Sequence, residues 1–131
     1  MHKPQEQVRD FHRACDIRRP DSPEFDWSDL SGLRYDLMAE ELKEFSDACE
    51  ERDPLEVIDA LCDLLYVTYG AAVAMGVDLE PFFEEVQRAN MEKTSGPKRA
   101  DGKQLKPKGW KGPDHDTILR LTYHIGPGQI L

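Results

Sequence analysis

"EVIDALCDLLYVTYGAAVAMG", residues 56–76, is apolar or small at almost every position, yet it carries Glu56, Asp59 and Asp63. The preceding "DPLE", residues 53–56, opens a helix. Asp53 is a good N-cap, Pro54 suits the first helical position and Glu56 completes a capping box. Gly76 ends the helix as a C-cap glycine. A helix that is apolar all round must be covered all round. Three other helices of a 131-residue chain hardly suffice for that. The expectation is therefore a homo-oligomer, a homodimer or dimer of dimers, that packs this helix against a symmetry mate.

Each helical residue advances by about 100°, so Asp59 and Asp63 lie about 40° apart and Glu56 about 20° beyond Asp63. Tyr66 and Gly70 share their face. Burying an unpaired carboxylate costs several kcal/mol, so these groups must be neutralised, paired or holding a cation. Ion pairs to Arg or Lys are the weaker option for Asp59 and Asp63, because like charges one turn apart repel in dry surroundings.

The other elements follow from periodicity. A helix is predicted over 4–16, with Val8, Phe11 and Cys15 at helical spacing and Phe11 read as core. A Pro/Asp-rich link leads to a second helix over 30–51. After the helix that ends at Gly76, a fourth runs over 78–93 on the stripe Leu79, Phe82, Phe83 and Val86. Beyond Lys93 the pattern breaks into loop, with a short hairpin across "ADGKQL". The tail holds one more short helix or strand. No βαβ alternation is present, so the class is all-α. A single four-helix domain spans 1–131, with its helical core at about 4–93 and a basic loop and tail at 94–131.

The second helix carries a second acidic set, "EELKE" at 40–44. On the wheel Glu41 falls among Leu37, Phe45 and Ala48, where a hydrophobe belongs. Glu44 sits at the edge of that arc and Glu40 points further out. Oxygen-only ligands facing one another across a helix pair suit hard divalent cations, Mg²⁺ or Mn²⁺. A ferritin-like di-iron site needs Glu-x-x-His pairs, and none of His2, His12, His115 or His124 has a glutamate three residues before it. No GxSxG is present to suggest acyl transfer.

A net charge of −9 opposes a nucleic acid polymer as partner. Residues 93–111 hold seven of the seventeen basic residues and one acid, a local +6 that leaves −15 elsewhere. An acidic body with a compact basic loop suits a small anion held beside cations. Cys15, Cys49 and Cys62 are odd in number and widely spaced, which points to a reducing compartment; Cys49 and Cys62 read as small buried hydrophobes. The opening "MHKPQEQVRDFHRA" lacks the apolar run of a signal peptide, and two aspartates make 57–76 a poor membrane span. The expectation is a soluble cytoplasmic protein with no membrane partner.

"EELKE" followed by "EVIDALCD" resembles the all-α nucleoside triphosphate pyrophosphohydrolases, with their EExxE and ExxD signature. That group contains MazG, the dimeric dUTPases, the dCTP pyrophosphatases and phosphoribosyl-ATP pyrophosphohydrolase. "NMEK" at 90–93 and "DGKQLKPKGWKGPD" at 101–114 resemble its compact MazG-like branch. The resemblance covers roughly residues 5–114. It implies a MazG-like bundle and metal-dependent cleavage of a nucleoside triphosphate to the monophosphate and pyrophosphate. Glu41 and Glu44 match the metal-binding glutamates of EExxE, with Glu40 beside them, and Glu40 or Glu41 orients or deprotonates the attacking water. Read literally, ExxD is Glu56 and Asp59. Read from the "DLLYV" that follows the motif aspartate, it is Asp63, with Ala60 in place of the glutamate and Asp59 standing in one turn earlier. The resemblance further implies phosphate contacts from Asn90 and Lys93 and a basic loop, through Lys103, Lys108 and Lys111, that covers the triphosphate. Trp110 either stacks on the base or pins the loop, and His12 contacts the base. Two alternatives stand beside this reading: phosphoribosyl-ATP hydrolysis in histidine biosynthesis, and a non-catalytic helical module whose carboxylates serve ion pairs.

Overall fold

The computed structural model describes residues 1–130, and all regular structure among them is helical. The helices are α1 (Lys3–Ala14), α2 (Trp27–Asp29), α3 (Tyr35–Glu51), α4 (Pro54–Met75), α5 (Glu80–Met91) and α6 (His115–Tyr123). The chain groups into two compact units, residues 1–79 and 80–129.

In the first unit α4 packs against α1 and α3. Ala60 of α4 and Ala48 of α3 are buried, and such small side chains let helix backbones approach closely. Beyond them Gly70, Ala71, Ala72, Val73 and Ala74 are buried along the C-terminal half of α4. The Gln5 amide, fully buried on α1, donates to the Val77 carbonyl (2.7 Å) and accepts from the Leu79 N–H (3.0 Å). The first helix ends two residues before its predicted limit. Asp16 takes a left-handed φ of 55°, and the N–H of Ile17 closes onto the His12 carbonyl at 2.7 Å. That is the double-bonded helix ending in which the residue after the cap turns left-handed.

Asp26 caps α2 through the Asp29 N–H (3.1 Å). The chain then passes through a π-helical stretch, Leu30–Arg34, directly into α3. At the far end of α3, Arg52 is left-handed (φ 55°), its N–H meets the Cys49 carbonyl and the Asp53 N–H meets the Ala48 carbonyl at 3.1 Å. Asp53 then caps α4 as predicted, accepting from the N–H groups of Leu55 and Glu56. Glu56 does not complete a capping box, because the N–H it would accept is already given to Ala48.

The N-terminal half of α4 is bare on one side. Leu55, Ile58, Leu61 and Leu65 are exposed, as is Leu42 on α3. Three expected core residues lie on open surface for the same reason. Cys49 and Cys62 are exposed, and Phe11 is exposed with its ring edge-on to Tyr66 at 5.7 Å. By length and composition alone α4 is apolar enough to cross a membrane, a property it shares with core helices.

In the second unit α5 tightens into a 3₁₀ turn, Glu92–Ser95. Its stripe is half-buried at Phe82 and Val86, but Phe83 is exposed. The expected hairpin is a tight turn with one antiparallel bridge, Lys98 to Gln104. The Gly102 N–H bonds the Arg99 carbonyl and the Arg99 N–H the Lys103 carbonyl, with Gly102 at φ 88°. The tail forms a helix, α6, capped by Asp114 through the Thr117 N–H.

Candidate metal centre

The short α3–α4 turn lays the two acidic motifs side by side. One carboxylate oxygen each from Glu41, Glu44 and Asp63 lies within 4.8 Å of the others. Among the described residues, Glu41 Oε2 is the one side-chain polar atom sealed from solvent with no hydrogen-bond partner. Burial pushes the Glu41 carboxyl above its usual range, and the adjacent Glu44 carboxylate, with the charges of Asp63 and Glu40, pushes further. Asp63 is raised too, first by burial and then by the charges of Asp59 and Glu44. Among the described residues none of Glu40, Glu41, Glu44, Glu56, Asp59 or Asp63 makes an ion pair. An open cleft of about 280 Å³ adjoins the cluster, lined by Glu44, Asp47, Glu51, Glu56 and Asp59 over Ala48 and Ala60.

The donor set is oxygen-only, mutually repelling and includes an orphaned buried oxygen. It fits a hard divalent cation. Asp59 lies beside Asp63, whose carboxyl its charge raises, and faces the cleft, as does Glu56, while Glu40 is exposed and outside the three-residue cluster.

Two carboxyls that hold protons more tightly in the folded chain than in the unfolded one have a definite pH signature. The folded state binds more protons, so stability falls as pH rises through the raised folded values of Glu41 and Asp63. Cation-free protein should therefore melt at higher temperature as pH drops through the raised values toward the ordinary 4.5 and 3.8 of these carboxyls. Glu85 acts oppositely and later: Arg88 and the Asp114 N–H hold it at about 2, so its contribution is lost only as pH falls below its ordinary value of 4.5. Melting curves in EDTA across this range check the signs, and saturating Mg²⁺ should flatten the upper part.

The remaining residues singled out in the sequence fall in both units. His12 is buried, its Nδ1 3.0 Å from the Arg18 carbonyl. Asn90, Lys103, Lys108 and Lys111 are exposed in the second unit. Trp110 pins the basic loop: its indole N–H donates to the Ala89 carbonyl at 2.7 Å, with the ammonium groups of Lys93 and Lys106 at 4.8 and 5.0 Å from the ring. Sequence reading passes over Arg34, which is buried with Asp29 as its ion-pair partner. Its seven-residue spacing from Glu41 is the available signal, and the π-helical stretch obscures it.

The phosphoribosyl-ATP pyrophosphohydrolase family profile matches residues 8–90, well over half of the chain. A 48-residue stretch, 37% of the chain, is 44% identical to "Uncharacterized protein L479" of Acanthamoeba polyphaga mimivirus. That stretch covers 19% of the viral protein, so the match spans far less than two thirds of that relative's length. With its two acidic motifs on adjacent helices and a profile match that runs through both, the chain belongs to the phosphoribosyl-ATP pyrophosphohydrolase family, within the MazG-like all-α nucleoside triphosphate pyrophosphohydrolase superfamily.

Proposed function

We propose that this chain is a metal-dependent nucleotide pyrophosphohydrolase, cleaving a (deoxy)nucleoside triphosphate to the monophosphate and pyrophosphate in the cytoplasm. The observation that carries the reading is the orphaned Glu41 Oε2, buried beside Glu44 and Asp63 with no basic partner. Glu41, Glu44 and Asp63 would hold Mg²⁺ or Mn²⁺, with Asp59 and Glu56 from the cleft wall completing the oxygen set. A divalent cation bound there supplies charge to polarise a phosphoryl oxygen and to acidify a water. Glu40, exposed beside the cluster, is free to orient a water and accept its proton. Asn90, Lys93, Lys103, Lys108 and Lys111 offer donors suited to phosphate oxygens. Trp110, already committed to Ala89, serves the loop rather than the base.

The bare side of α4 supports a homodimer or dimer of dimers. Leu55, Ile58, Cys62, Leu65 and Tyr69 repeat at spacings of three and four, the seam that two helices of the same kind bury between them.

A second substrate, phosphoribosyl-ATP, is favoured by the name of the matching family. One assay separates the readings. Purified protein is incubated with a panel of nucleoside triphosphates and with phosphoribosyl-ATP, in Mg²⁺, Mn²⁺ or EDTA. Pyrophosphate and a monophosphate should appear with the cation and not with EDTA. Release of orthophosphate would overturn the cleavage position, and no turnover of any substrate would return the acids to a non-catalytic role.

A further inference from the structure

The second unit holds an open cavity of about 480 Å³, inside the range of roughly 300–1,000 Å³ that small-molecule sites occupy. Its lining comes from the C-terminal half of α5, from Ser95 and from the segment 107–112, with Asp114 beside them. These walls are fixed by the chain itself. Trp110 donates its indole N–H to the Ala89 carbonyl at 2.7 Å. Its backbone N–H closes a turn onto the Pro107 carbonyl at 3.1 Å, with Gly109 left-handed at φ 78°. The Asp114 N–H bonds Glu85 Oε1 at 2.9 Å. Gln104 gives its amide hydrogens to the carbonyls of Lys93 and Gly96, at 2.8 and 2.6 Å, which ties the middle of the basic segment to the end of α5. The segment is a folded arm pinned at three points.

Most polar groups around the cavity are already engaged. Arg88 is fully committed, through Nε and Nη2 to Glu85 and through Nη1 to Glu92. The two acids of the lining are answered as well, Glu92 by Arg88 and Asp114 by the N–H and hydroxyl of Thr117. Lys108, Lys111 and the Ser95 hydroxyl have no side-chain partner among the described residues. The lysines can only donate, and the serine can donate too.

A cavity of fixed shape with unanswered donors and free positive charge suits a compact anion with several acceptor oxygens. A phosphate group, with a charge of about −1.5 to −2 at pH 7, is such an anion. We propose that this cavity is a preformed site for a small phosphate anion, orthophosphate or pyrophosphate, that binds without a metal ion. The proposal goes beyond the metal-centre reading and does not depend on it. Lysines that served only to cover a metal-bound triphosphate would take up an anion only with the cation present, whereas this cavity supplies its own charge.

Calorimetry in EDTA with 150 mM NaCl tests it, titrating orthophosphate and pyrophosphate into the wild type, the Lys108→Gln/Lys111→Gln double variant and Glu41→Gln. The expected result is one anion per chain and a tenfold or greater loss of affinity in the double variant, whose melting temperature stays within 2 °C of wild type because both lysines are exposed. Glu41→Gln should bind within twofold of wild type. The tighter anion names the occupant, pyrophosphate being the group released in the proposed reaction. In a Trp27→Phe background Trp110 is the remaining tryptophan, and its fluorescence should change with the same midpoint. An unchanged Trp110 emission would put the anion elsewhere and overturn the proposal. So would a wild type that binds only with Mg²⁺, several anions per chain, or a lysine double variant within twofold of wild type. Mg²⁺-dependent turnover on the same samples reports on the metal centre separately.

Discussion

Glu41→Gln should lower Mg²⁺-dependent pyrophosphate release by about a thousandfold or more, while raising the melting temperature of cation-free protein. The loss follows from the several kcal/mol of transition-state charge stabilisation that a correctly held cation provides, each 1.4 kcal/mol being about tenfold in rate. The gain in stability follows from the environment of Glu41. Its carboxyl is half-buried, touches Glu44, lies near Asp63 and has no cationic neighbour, so the charged form is penalised from every side. Glutamine keeps the shape and removes that penalty. Both readouts come from one preparation, turnover with Mg²⁺ and melting in EDTA. Retention of full activity would mean that the sealed oxygen has no part in catalysis. Lower stability without cation would mean that Glu41 has a partner holding it charged.

The second large effect is structural. Gly76→Ala should destabilise the first unit by about 3 kcal/mol or more, lowering the melting temperature by about 10 °C. Gly76 sits at φ 70°, where a side chain is strained whatever the space. Here there is also no space, since a Cβ would overlap the carbonyl oxygens of Ser22 and Pro20, at 2.2 and 2.8 Å. The link cannot retreat easily, because Arg18 Nε bonds the Ala74 carbonyl and the Glu24 N–H bonds the Met75 carbonyl. Gly32→Ala is the control, because a Cβ there would have nothing within 4 Å and the backbone has no positive φ. A Gly76→Ala protein melting within 2 °C of wild type would show that the link yields.

What the sequence could reveal was whatever leaves a periodic or chemical trace. The α4 boundaries were legible because Asp53, Pro54 and Gly76 each have a specific backbone role, and the structure uses all three. The pairing of EELKE with EVIDALCD was legible because carboxylates stood in an apolar arc. The exposure of Cys49, Cys62 and Phe11 was not, since periodicity identifies an apolar face without saying what covers it. The π-helical stretch leaves no compositional mark, and it displaced Arg34 from any wheel drawn through α3. Spacing makes Glu56 a capping residue as readily as a metal ligand, because it cannot say that the Ala48 carbonyl takes the Asp53 N–H first.

The joint between α3 and α4 is two residues long and closed by two backbone bonds, with Asp53 at once ending one turn and starting the next. Such a joint has no slack. The acidic motifs are held at one separation, so a cation site built on them, as proposed above, would have little means of adapting to the size of a substrate. Accommodation has to come from elsewhere in the fold.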